Sequence, residues 1–198
     1  MGHGVEFMND KEVDKKSDVN SGTVKKIVLS AMFLAIGILL PFVTAQIQEI
    51  GRMLLPMHIP VLLCGFICGP WYGAIVGFIL PVLRSFLTGG IPPMMPGAVA
   101  MAFELLMYGL MAGLIYRFIR KNIVGLYISL IGAMLAGRIM WYLASLILFR
   151  MMDSVFTVKM FVAGAFLNAI PGIIIQLIII PPIVMAIRMA ERNQKGSI

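Results

Sequence analysis

Charge is scarce in this 198-residue chain. Asp, Glu, Lys and Arg together make up 13% of it, against about 25% in a typical soluble domain. With 60% hydrophobic residues and a mean hydropathy of +0.97, that deficit excludes a soluble globular domain and leaves a membrane protein. Cysteine is sparse too. The only two, Cys64 and Cys68, lie four apart in an apolar run, on one helical face in hydrocarbon, a poor geometry and setting for a structural disulfide. They read as small packing residues, and a soft-metal site with His58 and the methionines lacks a second ligand pair. Also missing are H-E-x-x-H, Gly-x-Ser-x-Gly and a Glu-Glu pair, which argues against an intramembrane hydrolase that uses His58 and Glu104. No internal repeat with matching broken helices supports a channel or a stand-alone secondary carrier. No basic stripe is interleaved with aromatics, so the net charge of +7 gives no reason to expect nucleic acid.

What is present is apolar sequence in blocks. At about 20 residues per crossing, residues 23–192 make one all-α membrane domain, a bundle of six transmembrane helices. Residues 1–22 are polar and carry three Lys against five Asp or Glu, a composition that predicts a disordered tail. MGHGVEF at its start reads as an expression remnant. The tail lacks the basic start and apolar core of a signal peptide, so the first span is expected to stay as an anchor.

The spans fall at about 25–45, 57–68, 70–88, 97–118, 122–149 and 160–188. The second and third are cut apart by Gly69-Pro70, a helix stop followed by a restart. Thr88 to Pro96 is a Gly/Pro cluster and reads as a structured loop. Lys25, Lys26, Arg117, Arg120, Lys121, Arg188, Arg192 and Lys195 fall on one side, whereas Arg52, Arg150 and Lys159 fall on the other. By the positive-inside rule both termini are cytoplasmic.

In that threading Arg84, Glu104, Arg138 and Asn168 share a layer roughly 9–18 Å below the outer boundary. A charge at such depth costs roughly 2.5–3.5 kcal/mol on insertion scales and marks a bundle interior or a site. Two cations against one anion leave positive charge for an anionic solute, and the planar fork of Arg takes a carboxylate or phosphate bidentately. Other readings stand beside this one. Glu104 and Arg138 are also suited to an internal ion pair, Arg84 to snorkelling outward, and Asn168 to bridging helices. Tyr108 and Met101 share a face with Glu104, as do Trp141, Tyr142 and Ser145 with Arg138, which gives either a pocket wall or plain packing. Pro171 frees the Leu167 carbonyl, as a kink or an acceptor. His58 opens the second span, as an interfacial residue or a ligand contact. Loops 46–56, 88–96 and 150–159 emerge over this side as candidate lids.

Small residues recur four apart at Ala31/Ala35, Gly65/Gly69/Gly73/Gly77, Gly109/Gly113 and Ala133/Gly137, a spacing that lets helices approach closely. With six short spans, Ala31-Met-Phe-Leu-Ala35, and His58-Ile-Pro-Val61 leading into Gly65-x-x-x-Gly69-Pro70, residues 24–190 resemble the substrate-binding S components of the energy-coupling factor (ECF) vitamin transporters of bacteria. The resemblance implies a multi-pass subunit of the bacterial cell membrane that is not an enzyme and needs no cofactor. It implies a pocket near the outer face, built from spans four to six and the three outer loops, and docking of Ala31 and Ala35 on a transmembrane coupling subunit. Two cytoplasmic ATPases are implied to supply energy, and this chain has no G-x-x-x-x-G-K-[S/T] loop of its own. Such subunits are thought to topple in the membrane to deliver the solute. On the pocket chemistry, the expected solute is an anionic vitamin, pantothenate-like first, with pyridoxine, flavin or folate types behind. The expected contacts are His58, Arg84, Glu104, Tyr108, Arg138, Trp141, Tyr142 and Asn168.

Overall fold

The computed structural model describes residues 3–44, 56–119, 122–154, 157–164 and 169–195. Among these there is no strand. The helices are α1 (His3–Thr44), α2 (His58–Ile67), α3 (Pro70–Leu87), α4 (Val99–Phe118), α5 (Ile123–Met151), α6 (Val158–Val162) and α7 (Ile170–Lys195), with a π-type turn at Met94–Ala98 leading into α4.

Five stretches are long and apolar enough to cross a bilayer: Gly22–Phe42, Pro70–Leu87, Met94–Phe118, Ile123–Met151 and Ile170–Ala190. The sequence predicts six spans. The difference is α2, whose ten residues cover about 15 Å, half of a hydrocarbon core of about 30 Å. It ends where expected, because Gly69 adopts φ 113° and ψ 171°, a backbone that only glycine takes without strain. Pro70 then occupies the first turn of α3, where its missing N–H leaves no bond unmade.

Two further expectations change. The last span begins at Ile170 rather than 160, with α6 as a separate short helix. Pro171 is the second residue of α7, so it starts a helix instead of kinking one. At the other end, α1 continues back to His3 through residues whose composition predicts disorder; no glycine or proline falls between Val5 and Ser21 to interrupt a helix nucleated by the apolar span.

Helix α4 is central and packs against α2, α3 and α5. Its approach to α2 and α3 depends on glycine. A Cβ on Gly73 would lie 2.8 Å from the Gly109 carbonyl oxygen, one on Gly113 would lie 2.6 Å from the Pro70 nitrogen, and one on Gly109 would run into the Gly73 backbone. Backbones this close gain dispersion contacts, which drive helix association where lipid removes the hydrophobic incentive. Val61, Leu62, Leu80, Leu105, Leu126 and Leu130 fill the fully buried core. Cys64 and Cys68 are buried in this core and form no disulfide, and Cys64 Sγ lies 3.6 Å from Ser30 Oγ.

The reverse face of α5 exposes Ile128, Ile131, Leu135, Ile139, Leu143 and Ile147, a stripe at helical period suited to lipid contact. On α1, Ala31 and Ala35 are exposed beside Val28, Met32, Ile36 and Leu39.

Candidate functional site

A missing side chain sets the distance between α4 and α5 at the polar layer. Any Cβ on Gly137 would overlap the Tyr108 ring, so only glycine lets α5 close on α4 here, and the next residue, Arg138, is carried to Glu104. Arg138 Nη1 lies 2.8 Å from Glu104 Oε1. The pair is held by charge and proximity, without the alignment of a hydrogen bond, because Oε1 accepts none among the described residues. His58 Nε2 approaches the same oxygen at 3.5 Å, and its ring leans on Tyr108 at 5.1 Å between centroids. His58 and Tyr108 are 1% exposed, Glu104 2% and Arg138 7%.

Burial of this kind is tolerated in lipid when opposite charges are paired, yet the pairing is incomplete. Arg138 Nε and Nη2 have no hydrogen-bond partner among the described residues, and neither has either ring nitrogen of His58. The guanidinium carries five N–H donors in a planar fork. Glu104 takes up Nη1, which leaves the Nε/Nη2 edge, the side that grips a carboxylate or phosphate with two parallel bonds, unused.

Arg84 stands in the last turn of α3, half-buried. Its Nη1 donates to Met57 Sδ at 3.4 Å, and its Nε is buried without a partner among the described residues. Met57 precedes His58, so Arg84 joins the cluster at its edge and not through a direct contact with Glu104.

A mainly apolar cleft of about 330 Å³ opens near this cluster, lined by Pro93, Pro96, Ala100, Trp141, Ser145 and Phe149 among others. Ala100 is one helical turn before Glu104, and Trp141 and Ser145 are one and two turns after Arg138. The two helices run in opposite senses, so both displacements point to the same end of the bundle, and the cleft sits over the ion pair. Trp141 stacks on Phe161 at 5.9 Å with 28° between planes, and Tyr142 meets the same ring at 4.6 Å. The rim loop is tied at its base, where Ser85 Oγ donates to the Pro92 carbonyl at 2.7 Å and Ile91 N–H donates to Thr88 Oγ1 at 3.2 Å. Its Ile91–Pro92 and Met95–Pro96 peptides are cis.

A family model described as "ECF transporter, substrate-specific component" matches residues 25–184, which covers every helix that builds the cluster and the cleft. The chain belongs to this family. No curated protein and no solved structure matches it. As an ECF substrate-specific component, the protein is a multi-pass transport subunit that binds a solute and is not an enzyme.

Of the residues singled out in the sequence of this ECF component, His58, Glu104, Tyr108 and Arg138 come together, and Arg84 lies at their margin. Trp141 lines the cleft, whereas Tyr142 packs on Phe161 and is not among the cleft residues. His58 opens its helix as expected and is buried within the bundle. Asn168 and positions 46–55 of the first loop lie outside the described residues. One residue escaped the sequence reading. Gln176 on α7 is 1% exposed, and neither atom of its amide has a partner among the described residues. Its signal was a lone neutral amide within Ile170–Ile180, weaker than a charge yet anomalous in an apolar run.

Proposed function

We propose that this ECF component is the membrane subunit that captures an anionic, water-soluble vitamin or related micronutrient for import. A pantothenate-like acid ranks first, with pyridoxine, flavin and folate types behind. The observation that carries this reading is the buried, unpaired Nε/Nη2 edge of Arg138. A cation half-compensated by Glu104 gains a full complement of bonds when a solute carboxylate or phosphate docks on that edge. His58, Arg84 and Tyr108 then surround the polar end and Trp141 the apolar part, with Tyr142 braced on Phe161 behind it; Asn168 is proposed as a further solute contact. A cleft of about 330 Å³ falls within the range of small-ligand pockets, about 300–1,000 Å³.

In this reading the protein crosses the membrane of a bacterial cell as a six-helix bundle with both termini in the cytoplasm, the short α2 counting as one element. It works with a transmembrane coupling subunit and two cytoplasmic ATPases. Ala31 and Ala35 provide the docking strip, supported by their exposure on α1 among apolar neighbours, because small side chains let a partner helix approach closely. Ala35→Trp is expected to leave solute binding by the purified protein unchanged and to abolish uptake of labelled solute by cells that express all the subunits. Uptake by cells that lack the ATPases would show a self-sufficient carrier instead.

A further inference from the structure

Buried polar groups that lack partners are few in lipid-embedded proteins, because each costs several kcal/mol when water is absent. Gln176 leaves both ends of its amide in that condition while 1% exposed. It belongs to the buried stripe of α7, Gly172, Gln176, Ile180 and Val184, and α7 packs on α2 and α5, the helices that carry His58 and Arg138. Twelve residues after Gln176 and twelve after Glu104, Arg188 of α7 lies over the Tyr116 ring of α4 at 4.3 Å, so with both helices running in one sense Gln176 and Glu104 stand at about the same level.

The geometry points to Gln176 as a specificity-determining residue of the solute site, one that reads a neutral amide or hydroxyl beside the solute's acidic group. This rests on the reading that Arg138 seats that group. The donor and acceptor inventory supports it. The Arg138 edge offers two donors to an acid, whereas Gln176 offers one donor group and one acceptor, the complement of an amide or a hydroxyl and of no bare carboxylate. A site with committed polar partners discriminates strongly against a solute lacking the matching group, because its own buried groups are then left unpaired.

The test uses the purified full-length protein, freed of endogenous solute, with two probes: pantothenate, a carboxylate with a neighbouring amide and hydroxyls, and nicotinate, a carboxylate with neither. In Gln176→Leu, pantothenate affinity is expected to fall at least tenfold and nicotinate affinity to stay within twofold, so the preference collapses, with the Tm of the ligand-free protein equal or higher. Gln176→Met, closer in shape, gives the same ratio. A purely structural glutamine would weaken both probes alike or neither, and an unchanged ratio would overturn the inference. So would a marked drop in Tm in both variants, which would show that the amide already has a protein partner. Arg138→Ala separates the two claims. If it loses both acids while the Gln176 ratio is unchanged, the anionic site stands and the role of Gln176 does not. If the wild type binds neither probe, the inference about Gln176 fails, and the anionic site is judged by whether Arg138→Ala loses the copurifying solute.

Discussion

Arg138→Ala is expected to abolish solute binding and to destabilise the ligand-free protein by about 3–5 kcal/mol, the usual cost of leaving one member of a buried ion pair behind. Glu104, 2% exposed with its Oε1 facing Arg138 and His58, would be the stranded charge. Thermal unfolding in mild detergent reads the stability loss, and calorimetric titration reads the binding. The double variant Glu104→Leu/Arg138→Met sharpens the result, since replacing both partners with apolar groups removes the stranded charge and restores much of the stability. Binding is not expected to return. Recovery of both together would mean that the pair only orients helices.

The second large effect is on the fold. Gly109→Val places a branched side chain where a single Cβ already collides with the Gly73 backbone. Backbone does not yield as a side chain does, so the cost is expected to exceed the 1–3 kcal/mol or so of ordinary overpacking. The variant should lose its monodisperse peak in size-exclusion chromatography. Gly132→Ala is the control, because its Cβ meets only the tip of Ile115, at 2.9 Å, which can swing away, and near-native thermal stability is expected.

The strongest sequence signals were those that lipid makes costly. Glu104 and Arg138 stood out because ionised groups in apolar segments require a reason, and the structure brings them within 2.8 Å. The Gly69-Pro70 break was equally legible, since one residue needs an unusual φ and the next cannot continue a helix. Gly137 was read as one of a close-packing pair, but nothing in the chain itself says that the ring of Tyr108 occupies its missing side chain. The extent of α2 and the start of α7 were harder, because apolar residues suit span, half-span and connector alike. Gln176 was overlooked for a related reason. An amide carries no charge to flag it, and its significance lies in the lack of partners, which only three dimensions reveal.

The most direct measurement of the central claim is mass spectrometry of the small molecules released on denaturing the protein after gentle purification from cells grown in rich medium. A water-soluble acid is expected, near one per protein in the wild type and absent from Arg138→Ala. Release of only neutral or cationic solutes, or equal retention by Arg138→Ala, would contradict the assignment of the open guanidinium edge as the seat of the solute.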